Sequence, residues 1–143
     1  VVGTTDAQTL TNKTLTAPVI NNPTGAVTLA SGSLGYATGN GGTVTQLVNK
    51  ATGVTLNKPS GEITLDAAAL AADTTVSFTL TNSAIAAGDV LVLNHVSGGT
   101  FMAYRLGAQC AAGSALIGVR NTTAGSLSEA IVIRFAVIKG ATA

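Results

Sequence analysis

Residues 129–139, Glu-Ala-Ile-Val-Ile-Arg-Phe-Ala-Val-Ile-Lys, carry apolar side chains on both faces of an extended chain. Successive side chains of a strand point to opposite sides. Ile131, Ile133, Phe135 and Val137 therefore share one face, and Val132, Arg134, Ala136 and Ile138 the other. A strand with one wet face has no need of Val132 and Ile138 there. Both faces are expected to be covered, one by the opposite sheet of a sandwich and one by a neighbouring subunit. Residues 89–96 (DVLVLNHV) have the same two-sided character.

The remaining strand candidates are half-apolar. Residues 74–81 alternate cleanly, with Val76, Phe78 and Leu80 on one side and Thr75, Ser77, Thr79 and Thr81 on the other. Further strands are predicted over 33–38, 43–48, 53–56, 62–66, 101–106 and 114–121, broken by Gly39-Asn40-Gly41-Gly42 and by Pro59-Ser60-Gly61. Ala67–Ala72 has room for one helical turn and is too short for a helix. Threonine outnumbers even the 17 glycines. β-Branched residues favour pleated strands, while Gly and Asn supply the turns between them. The expected fold is all-β, a jelly-roll-like antiparallel β-sandwich of about eight strands.

The first residues read differently. Segment 4–28 is polar, rich in Thr and Asn, and contains Pro18 and Pro23, each biasing the residue before it to extended geometry. Its Leu10, Leu15, Val19 and Ile20 are too sparse to make a core. Residues 1–30 are expected to be an extended arm whose backbone pairs with another chain, those four side chains docking shallowly on the partner; disorder is the alternative. Residues 31–143 are assigned to the β-sandwich.

Composition then limits what the chain does. Only 9% of its 143 residues are charged and the formal net charge is +1, with the seven Lys and Arg scattered. That gives no field for nucleic acid. The lone Cys110 cannot form an intrachain disulfide. No run approaches the roughly 20 apolar residues that span a bilayer, and the first residues lack the basic and apolar regions of a signal peptide. The absence of an initiating Met leaves two readings, a processed chain or a piece of something longer.

Candidate chemistry is thin. His95 alternates with Leu91 and Leu93 and has no Cys, His or carboxylate at ligand spacing, so it is read as a packed or subunit-contact residue and not as a metal ligand. Cys110 lies among Ala108, Ala111 and Ala112 with no base beside it and is read as a small apolar residue. Asp73 and Asp89 fall where turns begin, which argues against a paired-carboxylate hydrolase. The glycine cluster at 39–42 lacks the following Lys-Ser/Thr of a phosphate loop. The N-x-[ST] matches at Asn12 and Asn121 are given no role. Arg105, Arg120 and Arg134 lie within predicted strands and either pair with Glu62, Glu129 or a carbonyl across an interface, or reach water along their own sheet. No enzyme, cofactor or metal is expected.

Two stretches carry a resemblance. DAQTLTNKTLTAPVINNPT resembles a Thr/Asn-rich segment that recurs in fibre and appendage proteins of tailed bacteriophages. The run LGYATGNGGTVTQLVNKATGVTLNKPSGEITL, with FTLTNS and the ending SEAIVIRFAVIKG, resembles a small phage virion domain. The resemblance implies a homotrimeric virion structural protein, assembled in the bacterial host cytoplasm, with no catalytic residues to carry over. Two locations follow. In a capsid decoration (cement or head-fibre) protein, the arm would run over the major capsid protein and stabilise the shell. In the C-terminal trimerisation and receptor-binding tip of a tail fibre or tailspike, a cell-surface glycan would be bound. The expected subunit interface is Val132, Arg134, Ile138 and Arg120; the expected arm contacts are Leu10, Leu15, Val19 and Ile20.

Overall fold

Eight strands and no helix make up residues 34–140, which are the residues described in the computed structural model. They are β1 (Thr43–Thr45), β2 (Val54–Thr55), β3 (Ser60–Thr64), β4 (Thr75–Thr81), β5 (Val90–Ser97), β6 (Tyr104–Ala111), β7 (Ser114–Asn121) and β8 (Val132–Ile138). Two four-stranded sheets result, in the orders β1-β3-β8-β5 and β2-β4-β7-β6. The predicted arm, with Leu10, Leu15, Val19 and Ile20, lies outside the described residues.

Side-chain alternation builds one core between these sheets. Ile63, Ile133, Phe135 and Val137 from the first sheet join Phe78, Leu80, Ala115, Ile117 and Val119 from the second in a single buried cluster. Inward residues pair with inward residues: Leu93 opposes Phe135 and Leu91 opposes Val137, while Phe78 opposes Ile117 and Val76 opposes Val119. The alternation read at 74–81 and 129–139 therefore sets both the register and the buried faces. Phe78 and Phe135 are both fully buried; truncating either to Ala costs about 3–5 kcal/mol by the usual cavity arithmetic.

The sheets are mixed, not antiparallel throughout. β1 runs parallel to β3 and β2 runs parallel to β4, whereas the other four pairings are antiparallel. The chain alternates between sheets through its first four strands. A strand that leaves for the opposite sheet and returns comes back in its original direction, which a tight hairpin cannot achieve.

Other differences are local. Residues 34–38 form no strand, and β1 stops at Thr45 because Gln46 turns inward. Its Nε2 donates to the carbonyls of Thr52 (2.8 Å) and Lys50 (3.1 Å), while Oε1 accepts from the Asp66 amide. The strand predicted at 101–106 starts at Tyr104 and continues to Ala111. Gly98, Gly99 and Met102 all take positive φ, so the chain is still turning through Met102. A Cβ on Gly98 would lie 2.4 Å from the Ala130 carbonyl, so that position admits only glycine. Ala67–Ala72 forms no helical turn; instead Leu70 bridges to Leu127.

Three buried polar side chains tie the loops together. Lys50, only 3% exposed, donates from Nζ to the carbonyls of Asp66 and Glu129, the latter at 2.8 Å. Asn121 donates from Nδ2 to Leu70, Ala71 and Gly125 and accepts at Oδ1 from the Thr123 amide. Asn82 donates to the Lys58 carbonyl and accepts from the Ala84 amide. Among the described residues no buried side-chain N or O lacks a partner, as a well-formed interior requires.

Candidate functional site

Leu34, Leu47, Val48 and Leu116 are exposed in loops or singly, and two further surfaces group exposed side chains on or between the long strands. The first is the outer face of the β3-β8-β5 sheet. Strand register fixes its rows: Val90 beside Ile138, Val92 beside Ala136 and Ser60, Asn94 beside Arg134 and Glu62. Val90, Val92 and Ile138 remain 56%, 47% and 56% exposed, so an apolar stripe crosses two neighbouring strands. Below it Arg134 donates from Nε to Glu62 Oε1 (3.1 Å) and from Nη2 to the same oxygen. That ion pair lies within the chain and closes the polar end of the stripe.

Of the expected interface residues, Val132, Arg134 and Ile138 share this face of β8. Arg120 does not. It lies on the outer face of β7 in the other sheet, opposite Arg105 on β6, and its Nη2 meets Asp73 Oδ1 at 2.7 Å. Arg105 makes no ion pair among the described residues.

The second surface is the β5–β6 connection, where edge strands of the two sheets approach each other. Residues 97–103 turn tightly and leave Phe101 85% and Met102 75% exposed. Glu129 holds this turn from outside it, accepting from the Thr100 amide (3.0 Å), the Thr100 hydroxyl (2.7 Å) and the Tyr104 hydroxyl (2.7 Å). The Thr100 and Tyr104 hydrogen bonds, with a smaller contribution from nearby His95, keep the Glu129 carboxyl below its ordinary value. Burial, reinforced by the same carboxylate, pushes the Tyr104 phenol up.

His95 closes the other side. Its Nε2 lies 3.0 Å from the Ser97 carbonyl and 2.6 Å from that of Gly98. Carbonyls only accept, so Nε2 carries the proton. The ring also meets Tyr104 edge-on, with centroids 5.9 Å apart. Beside it opens a depression of about 350 Å³ whose lining includes Asn94, Phe101, Met102 and Arg105.

Set against family models, curated proteins and solved structures, the chain matches none. Its function has to be argued from the two surfaces.

Elsewhere the notable groups are structural. Asp89 is buried with Lys139 Nζ at 2.5 Å and the Ala86 and Gly140 amides on its oxygens; the Lys139 bond first, and then the Ala86 amide, hold its carboxyl low. Burial lowers the Lys50 ammonium against the opposing pull of Asp66 and Glu129. Cys110 is half-buried on β6. Among the described residues no three His, Cys, Asp or Glu side chains gather as a metal site. Sequence reasoning missed the Glu129 clamp and the buried Lys50, because both depend on partners far away in the chain.

Proposed function

We propose that this chain is a structural protein of a bacteriophage particle, a homotrimeric capsid decoration protein that stabilises the head shell through its β-domain and its N-terminal arm. The observation that carries the reading is the apolar stripe of Val90, Val92 and Ile138 on the outer face of the β3-β8-β5 sheet. Burying each half-exposed side chain against a sister copy contributes about 1 kcal/mol, and the Arg134–Glu62 pair bounds the contact with charge. The six longer strands, β3 to β8, pair antiparallel with one another and would form the jelly-roll-like part of each subunit.

Two long edges support the role of the arm. Among the described residues β5 and β6 each run eight residues and each pairs on one side only. Arg105 is the only Lys, Arg, Asp or Glu in either strand, and neither contains proline. Such edges invite an added strand, and repeated weak arm contacts sum through multivalency.

A tail-fibre or tailspike tip is the second reading, favoured by the exposed Phe101 and Met102 at one end of the sandwich. Cryo-EM of the intact particle tests both. Density for this chain as trimers on the head, with residues 1–30 extending over the major capsid protein, is the expected result. Density at the end of a fibre would replace the first reading with the second, and absence from purified particles would overturn both.

A further inference from the structure

The depression beside the β5–β6 turn has more organisation than an assembly role needs. Its rim is fixed before any ligand arrives. Glu129 takes three hydrogen bonds from Thr100 and Tyr104, and the His95 ring is pinned against the carbonyls of Ser97 and Gly98. This clamp holds Met102 at φ 63, a backbone conformation that costs energy for a side chain of that size and persists only where its surroundings enforce it. The result is a phenyl ring at Phe101 held out in water, which no packing within the described residues explains.

We propose that this depression binds a carboxylate-bearing sugar residue, a uronate or a sialate, at an exposed end of a polysaccharide. Three neighbouring groups supply the chemistry. The face of an aromatic ring carries partial negative charge and attracts the polarised C–H face of a pyranose, which suits Phe101. Arg105 lines the same depression, has no ion pair among the described residues, and presents the forked donors that match a carboxylate. Asn94 faces outward at the rim with both donor and acceptor capacity for a hydroxyl. At about 350 Å³ the space is near the lower end of small-molecule sites, roughly 300–1,000 Å³, which suits a terminal sugar and not a long segment. The inference goes beyond the assembly reading, and an arm strand added to β5 or β6 has to leave the Asn94–Arg105 end of those edges open.

The test is an NMR titration of the full chain with sialyllactose and with a glucuronate-containing tetrasaccharide, using lactose, a neutral tetrasaccharide and sodium acetate as controls. The expected result is saturable shifts confined to Asn94, His95, Phe101, Met102, Tyr104 and Arg105 with at least one acidic sugar, and binding at least about tenfold weaker for its neutral counterpart. Arg105→Gln removes that discrimination, and Phe101→Ala removes binding of both sugars while the thermal midpoint stays unchanged. The proposal is overturned if neither acidic sugar shifts these resonances, if acetate alone reproduces the shifts, or if both variants bind as the parent does.

Discussion

The two sheets resemble each other inside and differ outside. Each has a short parallel strand at one edge, three longer antiparallel strands beside it, and an inner face of Val, Ile, Leu and Phe. On the outer face of the β2-β4-β7-β6 sheet, β4 shows Thr75, Ser77, Thr79 and Thr81, Gly107 lies across from Gly118, and Leu116 opposite Thr79 is a single large apolar side chain, 49% exposed. The β3-β8-β5 sheet instead shows Val90, Val92 and Ile138. Folding alone asks nothing apolar of an outer face, because the buried cluster is already complete. The inner faces thus make the fold, and the proposed assembly role falls to the outer face with the grouped apolar stripe.

Substitutions should separate these roles, beginning with the most damaging. Ile133→Asp places a carboxylate in the sealed core and removes folding altogether, read as loss of the cooperative thermal transition. If Ile133→Asp stayed folded, the inner and outer assignments of β8 would be reversed.

Loss of a buried polar knot comes next. Asn121→Ala leaves the carbonyls of Leu70, Ala71 and Gly125 without their donor, an expected cost of roughly 2–4 kcal/mol in urea unfolding. Lys50→Met, which strips the Asp66 and Glu129 carbonyls, should fall in the same range.

Acid acts more gradually. Asp89 and Glu129 are both held below their ordinary values, so the fold binds their protons less readily than the unfolded chain does. The stability they add is complete above about pH 5 and is lost as the pH falls through their folded values. The urea midpoint should decline across that window, and Asp89→Asn should flatten the decline.

The outer faces give the smallest effects on stability and the sharpest contrast. Val92→Lys and Thr79→Lys should each change monomer stability by less than about 0.5 kcal/mol. Only Val92→Lys should weaken self-association, measured by light scattering after gel filtration. Equal behaviour of the two variants would erase the distinction between the sheets.

Legibility in the sequence followed the range of the interaction. The period-two alternation at 74–81 and 129–139 is local, and it marked the buried faces of β4 and β8 correctly. Turn geometry at 97–103 depends on Gly98 and Gly99 clearing residues 130 and 131, and that hid where β6 begins. Sheet membership was less visible still. Arg120 and Arg134 look alike in sequence, each a lone arginine in an apolar strand, yet they lie on opposite sheets with different partners, Asp73 and Glu62. The parallel β1–β3 and β2–β4 pairings also escaped, since no residue type distinguishes a parallel edge of two or three residues. The turn site at Phe101 was hidden under a strand predicted over 101–106, because Glu129 and Arg105 reach it through the fold.

Sedimentation equilibrium of the parent chain alongside Ile138→Asp tests the central claim most directly. A folded parent that sediments as three copies, with a folded variant that sediments as one, is the predicted pair of results. A parent that stays a single copy at micromolar concentration, its Val90, Val92 and Ile138 open to water, would contradict the account.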